Sequence, residues 1–584
     1  MNIPLAGYWS MLSTYLRPHR LRAILLAALL FSSIGLQLVN PQIMRFFIDT
    51  AQSTGSLRTL SVAAPAFLGV AVATQVVGVA EGYVAGQLAW LATNALRVDL
   101  AAHLVRLDLS FHHTHTPGEL IQRVDGDVAI LANFLSRFVI SVLGNALLLL
   151  GVLILLFHED VRIGLALTTF VLVALAVLNR VRTIPGPYYH AAREANADLD
   201  GFLLERLSGT EDICANGTTP YVLRRLYEVL RRQLRTEVPA MLAGTGLGQT
   251  AILLFAVGNV IAFALGACLL RTGAITIGTI YLIFAYTQSL LGPVQQLTEQ
   301  GRDLQGVGAS LSRIGELSAT QSAVQDGPGA ALPAGPLAVE LDDASFAYTA
   351  GNTVLHHISF RLEPGRVLGV LGRTGSGKTT LTRLLFRFYD PTGGAIRLGG
   401  IDLRQPRLAD LRTRIGLVTQ DVQLFQATVR DNLTLFDQSV SDTRILDTLR
   451  DLGLWDWYQS QPEGLDTELA DGGAALSAGE AQLVAFARVF LQDPGLIILD
   501  EATSRLDPAT EQRIERALDS LLRGRTGIIV AHRLATVQRA DEILILEDGH
   551  VREQGPRERL AVDPSSRFSE LSAISDQVSA GSPL

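Results

Sequence analysis

Six apolar stretches dominate the first half of this 584-residue chain: Leu21–Ile43, Leu60–Tyr83, Phe138–Phe157, Ile163–Leu178, Leu247–Leu270 and Ile275–Leu297. A helix needs roughly 20 apolar residues to cross a bilayer, so all six qualify, the fourth by the narrowest margin. Nothing else in the sequence restricts the fold so strongly, because in hydrocarbon a backbone can satisfy its polar groups only as a helix or a closed barrel. Composition agrees: 48% hydrophobic and 18% charged is too apolar for a soluble chain of this size. The formal net charge of −8 supplies no basic field, so no nucleic-acid partner is expected.

The connections alternate in length. "TAQSTGSLRT", "HEDVR" and "RTGAIT" are short; those after the second and fourth stretches are long and rich in arginine, among them Arg97, Arg106, Arg193, Arg224 and Arg231. Arg17, Arg20 and Arg22 cluster before the first stretch. The positive-inside bias puts both termini and both long connections in the cytoplasm of a multi-pass cell-membrane (plasma or inner-membrane) protein. The first stretch is too long for a cleavable signal peptide, and no small-residue cleavage pattern follows it. Helical periodicity in "ATNALRVDLAAHLVRLDLSF" and "YVLRRLYEVLRRQL" predicts that the membrane helices continue into the cytoplasm. Thr116–Val128 and Gly209–Gly217 are expected at their tips, where they could dock on a cytoplasmic partner. Polar residues within or near the spans, such as Gln75, Glu81, Asn145, Asn259 and Tyr286, are read first as helix–helix hydrogen bonds. His112, His113 and His115 have no companion ligands and read as a polar helix end beside Pro117. Cys214 and Cys268 form neither a metal spacing nor a disulfide framework.

Gln321–Pro336, "QSAVQDGPGAALPAGP", is aperiodic and rich in Gly, Pro and Ala, and reads as a linker. Beyond it the composition is that of a soluble α/β domain. "VLGVL" predicts a short buried strand, and it runs directly into "GRTGSGKTT" and the helical "LTRLLFRF". Strand, glycine loop and helix are the setting in which GxxxxGK[ST] binds phosphate. The glycines let backbone N–H groups curl around phosphate oxygens, and the helix N-terminus adds its dipole. Lys378 is the only lysine in the chain; every other Lys or Arg position is arginine. A compact ammonium can bridge phosphates inside a tight loop where a planar guanidinium demands another geometry. "PGLIILDEATSRLD" predicts a second buried strand, ending at Asp500 and Glu501. An aspartate at a strand end can hold Mg²⁺, usually through water, with Thr379 a direct ligand, and the adjacent glutamate can polarise an attacking water.

From these residues the C-terminal half resembles the nucleotide-binding domain of ABC transporters, with the motifs in that family's order. Tyr348 in "SFAY" matches the aromatic that stacks on adenine. Gly372, Arg373, Thr374, Gly375, Ser376, Gly377, Lys378 and Thr379, with Thr380 after them, match Walker A. Gln420 in "LVTQD" matches the glutamine that links Mg²⁺ to the membrane domain. "TELADGG" resembles the segment that precedes the signature in exporters. Ser477 and Gly479 lie in "LSAGE", where the family has LSGGQ. Asp500 and Glu501 match Walker B and the catalytic glutamate, "SRLD" the D-loop, and His532 the switch histidine. The N-terminal half resembles the six-helix domain of type IV exporters.

The resemblance implies an all-α six-helix transmembrane domain over 1–320, with coupling helices near 116–128 and 209–217. A linker (321–336), an α/β P-loop nucleotide domain of ABC type (337–565) and a flexible tail (566–584) would follow. It implies a half-transporter that uses ATP and Mg²⁺, pairs with a second half in the lipid bilayer, and exports a small-molecule, lipid or peptide substrate. Catalysis would rest on Glu501 and His532, and the metal on Thr379, Gln420 and Asp500. Ala478 and Glu480 depart from the signature: one adds a Cβ, the other a negative charge, where the partner's nucleotide should approach. With Glu501 and His532 intact, this asymmetry favours a heterodimer over a homodimer. A membrane ATPase with a gating role, and siderophore-like uptake, are the alternatives. A soluble DNA-repair ATPase is excluded by the six apolar stretches.

Overall fold

The structure is a computed structural model that describes residues 13–53, 57–137, 142–349, 351–419, 422–469, 476–500, 508–531 and 534–580. The chain divides into two compact units. One comprises residues 1–105 and 117–320, the other residues 106–116 and 321–584.

The first unit is helical: α1 (Arg20–Gln52) and α2 (Leu57–Arg106) are followed, after residues 106–116, by α4 (Asp127–Arg137), α5 (Asn145–Glu159), α6 (Val161–Val181), α7 (Gly186–Ser208), α8 (Thr210–Ala215), α9 (Thr219–Arg271), α10 (Ile277–Ser289) and α11 (Leu291–Ala319). Residues 106–116, in the second unit, supply α3 (Leu109–Thr114). Among the described residues, six helices are long and apolar enough to cross a membrane. The long connections are helical as well. α2 has 50 residues and α9 has 53, so at 1.5 Å per residue each is about 75–80 Å long, more than twice a hydrocarbon core. The buried centre of this unit lies among α5, α6, α9 and α10, around Val152, Leu156, Leu167, Phe255 and Tyr286. Gly258 admits the Phe170 ring, whose Cζ would stand 2.6 Å from a Cβ placed there.

Polar residues join these helices in pairs. Along one face of α1, Gln42 donates to the Tyr286 hydroxyl (3.1 Å), which donates to the Leu38 carbonyl (2.9 Å). Further along that face Arg45 pairs with Glu159. Asp49 accepts from the Gly278 amide and the Thr276 hydroxyl, both at 2.9 Å. Gly278 permits this approach, since a Cβ would fall 2.5 Å from the Asp49 carboxylate. Closer to the second unit in sequence, the fully buried Asp127 of α4 accepts from Ser310 (2.9 Å) and from the Arg313 Nε (2.8 Å) of α11. A buried carboxylate is tolerated only when paired and hydrogen-bonded, so this cluster fixes α4 against α11.

The second unit contains two sheets. A four-stranded antiparallel sheet, in the order β2-β1-β4-β5, comprises β1 (Val339–Thr349), β2 (Asn352–Leu362), β4 (Gly393–Leu398) and β5 (Ile401–Asp402). The six-stranded sheet has the order β10-β9-β3-β8-β7-β6, with β3 (Val367–Gly372), β6 (Ile415–Val418), β7 (Leu496–Asp500), β8 (Thr526–Val530), β9 (Glu542–Glu547) and β10 (His550–Pro556). β9, β3, β8, β7 and β6 run parallel; β10 is antiparallel. The near-continuous apolar runs of β3, β7 and β8 fit strands covered on both faces. The helices used below are α12 (Lys378–Leu385), α13 (Ala478–Gln492), α14 (Pro508–Leu522) and α15 (Arg567–Ala580).

Three segments singled out by the sequence have specific tertiary partners. Of Thr116–Val128, a tip that could dock on a cytoplasmic partner, the part from Pro117 onward groups with the first unit, and Arg106–Thr116 groups with the second. There Leu109 packs beside Phe386 and Phe388 against that half's core. Asp108 caps α3 through the Ser110 and Phe111 amides and also accepts from Ser322 (3.1 Å) and the Ala323 amide. Burial works to raise the Asp108 carboxyl, but the hydrogen bonds from Ser110, Ala323, Phe111 and Ser322 outweigh it and hold the group below the usual carboxylate range. The Gly/Pro segment 321–336 has no regular structure but is strapped down: Asp326 accepts from the Leu408 amide (2.7 Å), and Arg414 donates to the Pro333 and Gly335 carbonyls. Of the expected tail, 566–584, residues Arg567–Ala580 form α15. Its start is fixed because Glu553 accepts from the Phe568 amide and the Ser566 hydroxyl (both 3.0 Å), while the Phe568 ring is buried.

Candidate nucleotide site

β3 delivers the chain to Gly372 at the carboxyl end of the sheet, where the crevice of open α/β sheets binds ligands. The chain then curls through Arg373–Gly377 into α12. The tightness of the curl demands its glycines. A Cβ on Gly372 would stand 2.4 Å from the Leu546 carbonyl oxygen, and Gly377, at φ +100°, would drive a Cβ to 2.5 Å from Leu355. Inside the curl, Lys378 is 5% exposed and donates to the carbonyls of Gly372 (2.7 Å) and Arg373 (3.1 Å). The ammonium is thus already out of bulk water. The Ser376 hydroxyl is also buried in the loop and has no hydrogen-bond partner among the described residues. A desolvated cation and an orphaned hydroxyl in a tight loop at a helix N-terminus fit an anion with several acceptor oxygens. Arg373, Thr374 and Gly375 form the exposed lip, and Thr379 is exposed on the first turn of α12.

Tyr348 comes to the flank of this loop. Its hydroxyl lies 3.1 Å from the Thr380 hydroxyl and accepts from Arg383 (3.2 Å). The ring packs edge-on against Phe346 and Tyr389 and stays 40% exposed. These hydrogen bonds have no sequence signature. They arise because β1 and α12 meet.

The parallel register brings the remaining strand ends together. Val530 of β8 pairs with Val370 of β3 on one side and with Asp500 of β7 on the other. Asp500 therefore shares an edge with the phosphate-type loop, two strand spacings or roughly 10 Å across the sheet. β6 lies beyond β7, with Val418 paired to Leu499. Gln420, Glu501 and His532 lie outside the described residues. The described chain stops just before each of them, at Thr419, Asp500 and Ala531, which lie at or just beyond the ends of the adjacent strands β6, β7 and β8. The hard oxygens of Thr379 and Asp500 on this edge are of the type that Mg²⁺ takes.

Ser477 and Gly479 stand apart from this edge in their bonding. Ser477 caps α13, and its hydrogen bonds run to Glu480, three residues on. The Glu480 carboxylate accepts from the Ser477 amide and hydroxyl, both at 2.8 Å, and the Ser477 oxygen accepts from the Glu480 amide at 3.3 Å. This is a capping box. The Ser-x-x-Glu spacing is legible in the sequence, so Glu480 is both a charge within the signature and the fourth position of the cap.

Comparison with known proteins bears on the whole chain. Residues 23–294 match the model of the ABC transporter transmembrane region, and residues 355–504 match that of the ABC transporter. The ABC transporter ATP-binding protein YknV of Bacillus subtilis is 30% identical over 561 residues, 95% of this chain and 92% of that protein. The ATP-dependent lipid A-core flippase of Burkholderia pseudomallei is 29% identical over 541 residues, covering 91% and 89%. A solved structure of a bacterial Atm1-family ABC exporter with ATP bound superposes with a TM-score of 0.79 at 25% identity, over 95% of this chain and 98% of that one.

Lys378→Ala removes a charge-assisted donor from the loop. It is expected to weaken binding of a fluorescent ATP analogue at least about tenfold, since such hydrogen bonds contribute roughly 1.5–3 kcal/mol. Lys378→Arg keeps the charge but not the geometry and should lose nearly as much. Near-normal binding by Lys378→Arg would refute this account of why a lysine stands here.

Proposed function

The chain belongs to the ABC transporter family, and on that premise we propose that it is one half of a two-chain exporter in which ATP turnover at the nucleotide domains drives alternating access of the membrane helices. The observation that carries the proposal is the placement of the Lys378 loop and Asp500 along one sheet edge, in a chain with six helices able to cross a membrane. Both termini, the long connections and the nucleotide domain are placed in the cytoplasm by the arginine bias.

In this reading the loop amides of Gly372–Thr380 and the Lys378 ammonium bind the β- and γ-phosphates. The ammonium exchanges the Gly372 and Arg373 carbonyls for phosphate oxygens, so its desolvation does not oppose binding. The Tyr348 ring stacks on the adenine. Thr379, Asp500 and Gln420 would hold Mg²⁺, which would supply charge neutralisation at the phosphates. Glu501 takes a proton from the attacking water, and His532 orients the γ-phosphate. Ser477 and Gly479 face the nucleotide held by the partner chain. α3 and α8 carry closure of the nucleotide domains to the membrane helices.

The capping box supports a heterodimer. The family glutamine at this position would leave the N-terminus of α13 neutral. Glu480 instead places a carboxylate on the Ser477 amide and hydroxyl, the groups that would otherwise reach a phosphate. A fixed negative charge at an anion-binding helix terminus repels a second anion. This signature then serves the weaker of two unequal sites.

Two experiments test the reading. Glu501→Gln should bind ATP normally while turnover falls by about 10²–10⁴; full-rate hydrolysis would move the general base elsewhere. Restoring the signature, Ala478→Gly with Glu480→Gln, acts on the partner's site. In a heterodimer whose partner lacks a catalytic glutamate, steady-state ATPase activity of the purified assembly should barely change. A several-fold rise would mean that both sites improved together, as in a homodimer.

A further inference from the structure

Glu81 lies deep in the membrane half and takes no part in the function proposed above. It is in α2, within the apolar span that runs from Arg58 to Arg106, and is 4% exposed. Its polar neighbour is Ser33 of α1, itself buried. The Ser33 oxygen in turn accepts from the Gln37 side-chain amide at 3.1 Å. Leu26, Ala85 and Leu88 close the α1/α2 contact with apolar surface. Ser33 is about 16 Å along α1 beyond Arg22 at 1.5 Å per residue, well inside the hydrocarbon.

No counter-charge reaches this carboxyl among the described residues. On α1, Arg45 is paired with Glu159, and Asp49 is bound to Thr276 and Gly278. Arg20 and Arg22 stand at the cytoplasmic start of that helix. On α2, Arg97 pairs with Asp125, and Asp99 accepts from Tyr15. Arg97 is roughly 24 Å along the helix from Glu81, and Arg58 roughly 35 Å in the other direction. An ionised carboxylate without a counter-charge in hydrocarbon is far more costly than the neutral acid.

We infer that Glu81, Ser33 and Gln37 form an intramembrane proton-binding site, with Glu81 holding a proton at neutral pH while α1 and α2 stay closed on each other. The bound ligand is a single proton on the Glu81 carboxyl. The network can release it only when water, or a cationic group that replaces it, enters between the two helices. This site makes the membrane half sensitive to pH through a residue remote from the nucleotide.

The test uses the assembled transporter in lipid vesicles at pH 7. The infrared spectrum of the wild type minus that of Glu81→Gln should show the C=O stretch of a neutral carboxylic acid. Carboxylate stretches in that difference would overturn the inference. Glu81→Gln, an uncharged isostere, should keep the basal ATPase rate and lose part of its pH dependence between pH 6 and 8; an unaltered pH profile would count against a working proton site. Should the variant fail to assemble, dicyclohexylcarbodiimide, an apolar reagent for protonated carboxyls, decides the matter on the wild type. An adduct at Glu81 by peptide mass spectrometry is expected, and its absence would contradict the proposal.

Discussion

A backbone in hydrocarbon must hydrogen-bond to itself at every depth, and the architecture of this chain follows from that constraint. It makes the apolar stretches into helices, and it lets them continue as helices once they leave the bilayer. α2 and α9, at 50 and 53 residues, are single elements that no loop interrupts. A movement at one end of such an element is carried to the other. The same constraint governs the polar residues. Gln42, Arg45 and Asp49 lie on one face of α1 because each needs a partner, and Tyr286, Glu159 and the Thr276–Gly278 turn supply them.

The nucleotide half meets a different requirement. A parallel sheet buried on both faces collects the ends of its strands along one edge, and there β3 runs into the phosphate-type loop while β7 ends at Asp500. Lys378 shows how this edge is prepared. Its ammonium is already removed from water and rests on two carbonyls of its own loop. Binding a phosphate then exchanges acceptors without a new desolvation cost, which is what preorganisation means in energetic terms. The orphaned Ser376 hydroxyl points the same way: a buried polar atom without a partner costs free energy until a ligand supplies one.

What could be read from the sequence was what is local. Six spans follow from hydropathy, and the phosphate-type loop from a strand, glycines and a helix in immediate succession. The pairing of Asp500 with the loop's edge was implied by an apolar strand ending in an acid, although its register needed the sheet. Long-range packing was not legible. Nothing in "LDLSFHHT" announces that Asp108 will accept from Ser322 and Ala323, more than two hundred residues later, or that Leu109 will pack beside Phe386. "SRFSELSAISDQ" has the composition of a tail, and it is the Glu553 carboxylate on another element that fixes its first turn. Glu480 was legible in two ways, as a charge and as the fourth position of a capping box, and only the folded helix shows that both hold at once.

The central claim is that events at the Lys378 loop are transmitted to the membrane helices. Hydrogen–deuterium exchange of the assembled transporter in lipid nanodiscs, with and without Mg-ATP and vanadate, tests it without knowledge of the cargo. Nucleotide should protect residues 372–380 and, in the same experiment, change exchange at 109–114, at 210–215 and along α1 from 38 to 52. Protection confined to the nucleotide half, with α1, α3 and α8 unchanged, would contradict the account.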